Sequence, residues 1–271
     1  MNAKIITVAN LKGGVGKSTT TVNLAHYAAN ILKLKTLVID LDAQINSSRT
    51  LSLEWPESAL SASTLFIDSP LEAPFSISDT LSLIPGDDGL KSVDSLVNSN
   101  DVDGRRALYQ MFRANVRKFK ESFDVIVIDT PTTAEHRYYS ALVAADVSIT
   151  PALLDAYSLQ GANDLNQSLE NTKALFGNPR HIHIGILPNM YAKKSRLHND
   201  SLAALEAAGI AIVPYTLTSR LAVQESIDAG NPVWLGSRDG RINAAASREW
   251  KRACKYVLMR YWHENTKRNC Y

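Results

Sequence analysis

The chain has 271 residues, 45% of them hydrophobic and 21% charged, with a formal net charge of +2, enough apolar content to bury one large core as a single domain over residues 1–271 rather than a modular assembly. Its two cysteines, Cys254 and Cys270, are too few for a disulfide framework or a zinc ribbon. No apolar stretch is long enough to cross a bilayer, and the first residues lack the organisation of a signal peptide, so a cytoplasmic chain is expected.

In chain order, the apolar run at 4–8 reads as a strand and is followed at once by Lys12-Gly13-Gly14-Val15-Gly16-Lys17-Ser18-Thr19. Glycines bracketing such a loop let the backbone curl until its N–H groups face phosphate oxygens. Lys17 then reaches the β and γ phosphates, Ser18 can ligate Mg²⁺, and the helix that begins there adds its positive dipole end. Thr19 to Leu32 is predicted as that helix, with Val22, Ala25, Ala29 and Leu32 at helical spacing. The next strand, 36–40, ends in Asp40-Leu41-Asp42-Ala43-Gln44, placing two carboxylates at a strand end beside the phosphate loop. Residues 50–79 carry no sustained period, and a short helical excursion with loops is expected there. A strand at 81–84 follows. Asp124 to Pro131 is a continuous apolar run closing on Asp129, the pattern of a strand buried on both faces; Asp129 either serves a metal or caps the next helix.

Further strands are predicted near 146–150, 182–187 and 210–213. Alternating with helical stretches, they give an α/β fold: a doubly wound, mainly parallel sheet with helices on both faces. His181 and His183 lack a third ligand nearby in sequence and read as strand residues. Ala246 to Glu264 carries Trp250, Cys254, Val257, Leu258 and Tyr261 at helical spacing, a stripe expected to pack on the sheet rather than enter a bilayer. The region 236–271 is basic, with nine Lys and Arg against three Asp and Glu, while the preceding residues carry a net charge of −4. Clustered cations of this kind suit a polyanion such as DNA, contacted without reading its sequence. Arg248, Lys251 and Lys255 are candidates on that segment, and Lys193 and Lys194, with Arg196, could extend the surface. Solvated helix exteriors remain the plain alternative.

Lysine at position 12 is not required by an ordinary phosphate loop. With Lys12, Gly13, Gly14, Gly16, Lys17, Ser18 and Thr19 in place, the chain resembles the ParA/MinD family of deviant-Walker ATPases. In that family the early lysine reaches across a face-to-face dimer to the partner's nucleotide. The Asp40 to Gln44 segment is similar to the family's Asp-x-Asp-Pro-Gln, with Ala43 in place of the common proline. By that likeness Asp42 orients the attacking water, Asp40 helps hold the magnesium shell and Asp129 is the Walker B aspartate. The resemblance also implies that Asn189 and Pro214 contact the adenine, although a proline closing a strand is commonly structural. Arg220, in Ser219-Arg220-Leu221-Ala222-Val223-Gln224-Glu225-Ser226, resembles an arginine that contributes to non-specific DNA binding. The iron-sulfur relatives of this class are excluded, since no cysteine lies in the middle of the chain.

The resemblance is to short ParA-type partition ATPases, because the loop begins too early to leave room for an amino-terminal helix-turn-helix. It implies ATP and Mg²⁺ as cofactors, a homodimer on ATP binding, non-specific DNA and a ParB-like centromere-binding protein as partners, and a nucleoid-associated location. A MinD-like positioning ATPase, docking its terminal helix on anionic lipid, is the alternative. Against a third reading, a scaffold without hydrolysis, stands the intact Asp42.

Overall fold

The computed structural model describes residues 3–156 and 158–268, with side chains as far as Arg260. Seven strands form one sheet: β1 (Lys4–Val8), β2 (Thr36–Asp40), β3 (Phe75–Ser78), β4 (Leu81–Ile84), β5 (Val125–Asp129), β6 (Val147–Leu153) and β7 (Ile182–Asn189). Their order is β3-β4-β2-β5-β1-β6-β7. All pairs are parallel except β3 with β4. From β1 the chain passes to β2, β3 and β4 on one side, returns to set β5 between β2 and β1, and then continues to β6 and β7 on the other side, so the winding direction reverses beside β1. Ligands of open α/β sheets bind at such a switch point, outside the carboxyl ends of the strands.

Alternate residues along the central strands feed two cores. On one face Ile5, Ile39, Ile126 and Ile128 pack with Leu108, Tyr109, Phe112 and Val116 of α4 (Val102–Lys118), with Ala141 and Ala144 of α5 (His136–Ala144) and with Phe176 of α6 (Ser158–Phe176). On the other, Ile6, Val8, Val125, Val127, Val147 and Ile149 meet Leu24 of α1 (Lys17–His26) and Trp250, Ala253, Cys254, Val257 and Leu258 of α9 (Ala244–Arg268). Each fully buried aliphatic side chain contributes roughly 1.5–3 kcal/mol of transfer free energy, so the two-sided burial of β1, β2 and β5 concentrates that contribution at the centre of the sheet.

The expected strands at 4–8, 36–40 and 81–84 have those bounds, and those near 125, 146 and 182 run one to three residues further. Three elements differ from expectation. The segment 210–213 makes only a bridge, Ile186 to Ile212; Pro188, the next residue of β7 on that side, has no N–H with which to continue the ladder. The region 50–79 contains the expected helical excursion as a 3₁₀ turn at Ala62–Phe66, but also the antiparallel edge strand β3. The first helix begins at Lys17 and widens into a π turn over Tyr27–Ile31, which seats the Tyr27 ring edge-on to Trp234 at 5.8 Å between centroids.

The terminal helix is the one expected, and its stripe faces inward: Trp250, Cys254, Val257 and Leu258 are each at most 2% exposed. The side chain of Tyr261 lies outside the described residues, as do those of Lys267 and Arg268, and Cys270 entirely. With the stripe committed to the sheet, the described part of α9 has no second apolar face to lay on lipid, which removes the main support for the MinD-like alternative. Among the described residues no helix is long and apolar enough to cross a membrane.

Candidate nucleotide site at the strand ends

The carboxyl ends of β1, β2 and β5 lie side by side, with Asp129 in register with both Asp40 and Val8. The loop between β1 and α1 therefore curls directly over two strand-terminal carboxylates. Gly16 caps α1 with φ 90°. A Cβ there would stand 2.3 Å from the Asn189 side-chain nitrogen, so backbone conformation and the neighbouring amide both demand glycine. Asn189 donates to the Val15 carbonyl at 2.8 Å and accepts from the Met190 N–H at 2.9 Å, pinning the back of the loop to the end of β7.

Lys17 is buried and donates to the Lys12 carbonyl at 3.2 Å. Burial lowers its pKa, against the opposing pull of Asp129 and Asp42; an ammonium in this position is short of anionic partners. Asp129 is its counterpart. Fully buried, neither of its oxygens has a hydrogen-bond partner, and burial followed by the charge of Asp40 drives its pKa up, with the Ser18 and Ser47 hydroxyls and Lys17 acting in the other direction. A buried carboxylate without partners is costly. Beside the Ser18 hydroxyl it suits a hydrated hard cation, whose remaining ligands come from phosphate and water. Among the described residues no cluster of three or more Asp, Glu, His or Cys could cage a metal on its own, in keeping with a shared ligand set.

Asp40 is also fully buried, but its oxygens are engaged: one accepts the Asp42 N–H at 3.1 Å, the other the N–H and hydroxyl of Ser48 at 2.9 and 2.7 Å. It braces the start of α2 (Asn46–Leu51), so its expected contact with a metal shell would be indirect. Asp42 is half-buried, accepts the Gln44 N–H at 3.0 Å and opens onto the cleft.

That cleft holds about 920 Å³ between the phosphate loop, α2 and the end of α8 (Leu221–Asp228), and is lined by Gly14, Lys17, Ser18, Asp42, Arg49 and Arg238 among others. A smaller cavity of about 160 Å³ adjoins it, walled by Thr19, Asn189, Met190, Arg220 and Gln224. Pro214 lines neither and is exposed. Lys12, 52% exposed at its side chain, forms an ion pair with Asp155 of the same chain. Arg49, Asp155 and Arg238 had no motif to mark them; they reach the site through folding of distant segments.

The expected DNA residues divide into three groups. Arg220 is bound to Glu249 at 2.9 Å and forms a cavity wall. Lys251 is half-buried with its ammonium 5.9 Å from the centre of the Trp234 ring. Arg248 and Lys255 are exposed on the outer side of α9, and Lys193 and Lys194 are exposed in the loop before α7 (Arg196–Ala207). His181 is buried and His183 half-buried, and burial lowers their pKa values to about 3 and about 4; His183 meets the Thr150 hydroxyl at 3.1 Å. They are core residues.

A family profile described as an AAA domain matches residues 3–180. The chromosome-partitioning ATPase Soj of Thermus thermophilus is 31% identical over 209 residues, covering 76% of this chain and 78% of Soj. The chain belongs to the ParA-type family of P-loop ATPases. Protein IncC of Escherichia coli is 31% identical over 238 residues, which make up 85% of this chain but 63% of IncC; this chain thus spans under two thirds of that relative. The ParA-type fold is matched by McdA of Cyanothece in complex with ATP (TM-score 0.77, 21% identity, 95% of this chain and 96% of McdA). It is also matched by a Borrelia burgdorferi plasmid partition protein bound to AMPPNP (TM-score 0.74, 20% identity, 95% and 99%).

Proposed function

We propose that this chain is a ParA-like ATPase for partition of plasmid or chromosomal DNA. It binds ATP with Mg²⁺, closes into a face-to-face homodimer, holds DNA without strong sequence preference at the nucleoid, and lets go on hydrolysis, which a ParB-like partner stimulates. The observation that carries the catalytic part is the unpartnered, fully buried Asp129 carboxylate next to Lys17 and Ser18. The name of the Soj relative, a chromosome-partitioning ATPase, supports the partition role.

In this reading the backbone of Gly13 to Thr19 cradles the phosphates and Lys17 neutralises charge on the β and γ groups. Ser18 and Asp129 hold Mg²⁺, Asp129 through water. When bound, the ion supplies further charge neutralisation at the phosphoryl being transferred. Asp42 orients the attacking water, and Asp40 sets the backbone on which Asp42 stands. Asn189 and Pro214 keep their proposed place at the adenine edge, with Asn189 acting also on the loop itself. Lys12 exchanges Asp155 for the partner's nucleotide, which makes occupancy and assembly one event. Arg248, Lys251 and Lys255, with Lys193 and Lys194, present the DNA surface, and Arg220 contributes once released from Glu249.

A mobility shift on random-sequence duplex with ATP, ADP and a non-hydrolysable analogue tests the reading. Retention with ATP and the analogue but not ADP is the expected result. Equal binding in all three states, or none with any, overturns it, and ATP-dependent sedimentation with anionic liposomes instead of DNA would reinstate the lipid alternative.

A further inference from the structure

The peptide between Asp40 and Asp42 is held from both sides. The Leu41 N–H donates to the Asp129 carbonyl at 3.0 Å. Its carbonyl accepts from Nη1 of Arg137 at 3.1 Å, although Arg137 lies 96 residues further along, in the first turn of α5. That guanidinium is buried and is itself held: Nε and Nη2 both meet Oδ2 of Asp94 at 2.7 Å, the Arg137 backbone N–H donates to Oδ1 at 3.2 Å, and Glu135 lies 3.9 Å away. Asp94 caps the end of α3 (Leu90–Val93). One side chain thus joins the β2 end, α3 and the start of α5.

Resting on the hydrolytic reading above, the geometry points to Arg137 as a positioning residue for Asp42: a fork that locks the Leu41 peptide, and with it the direction of the carboxylate that follows. A guanidinium is suited to this because it donates in several directions from one rigid plane, which an ammonium cannot do. The same residue ties Asp42 to the 130–135 loop, which leads from Asp129 into α5 and puts Thr132 on the wall of the nucleotide cleft.

The test compares wild type with Arg137→Lys, Arg137→Met and the double variant Arg137→Met/Asp94→Asn, which leaves no buried charge unpaired and so guards against simple unfolding. Nucleotide affinity, single-turnover hydrolysis and amide hydrogen exchange of residues 41–45 are measured on each. Expected for the double variant are affinity within about threefold of wild type, hydrolysis slower by about 10²-fold, the scale of a 1 Å misplacement, and faster exchange at 41–45. Arg137→Lys recovers part of the rate. Wild-type hydrolysis and exchange in the folded double variant overturn the inference, as does a fall in affinity equal to the fall in rate. An Asp42→Ala variant that still hydrolyses at the wild-type rate would instead sink the role given to Asp42; exchange at 41–45 alone would then decide whether Arg137 clamps the peptide.

Discussion

The phosphate-loop end of the cleft and the end walled by Asn189 and Arg220, the proposed nucleoside end, are built on opposite plans. At the phosphate end, Gly13 to Thr19, Asp40 to Asp42 and Asp129 are short runs, each attached to the end of its own buried strand, and their alignment follows from the sheet register. At the nucleoside end nothing is local. Asn189 meets Val15 across 174 residues, Arg220 meets Glu249 across 29, and the wall between them is shared by α8 and α9. Chemistry that fixes residue spacing leaves a motif, whereas a cavity assembled by tertiary packing does not.

The contrast can be broken by substitution. Lys17→Ala removes a buried cation from the local end, and hydrolysis should fall by about 10³- to 10⁵-fold, read in a phosphate-release assay; a fall under tenfold would mean that the loop is not the centre of the chemistry. Trp250→Ala at the packed end should cost about 3–5 kcal/mol of stability by denaturant unfolding, since the ring is 2% exposed, and the loss should appear equally without nucleotide. For Lys12→Ala, losing one partner of a buried charge pair in the assembled state costs about 2–5 kcal/mol. Sedimentation should then show ATP-dependent dimers weakened by more than about tenfold while ATP binding persists, and undiminished dimers would refute the trans contact. The smallest effect is expected from Arg248→Ala with Lys255→Ala, which should lower the log-log salt slope of DNA binding by about one unit for each phosphate left without its cation; an unchanged slope would move the DNA surface elsewhere.

Legibility follows the same division. The strands at 4–8, 36–40, 81–84 and 125–128 are readable because short, mostly apolar runs, three of them closed by Asp40, Pro85 and Asp129, are what a two-sided sheet requires. β3 is not, for its Phe75-Ser76-Ile77-Ser78 alternation is too short to stand out beside the serines and prolines around it. Pro214 is proposed as an adenine contact by resemblance alone, and in the structure it walls neither cavity. Arg137 and Asp155 escape notice in the sequence because a lone charge in a helix or loop looks alike whether it faces water or clamps a peptide; only the partner's position distinguishes the two, and that partner is set by the fold.

The bond from Asn189 to the Val15 carbonyl has a consequence for loading. A cradle already stapled from behind, with its tightest turn fixed by Gly16, has little disorder left to surrender when a triphosphate arrives. Calorimetry of nucleotide entry into the isolated subunit should register a rigid host, with a modest heat-capacity change; Asn189→Ala would convert the same event into coupled ordering, visible as a steeper temperature dependence of the binding enthalpy.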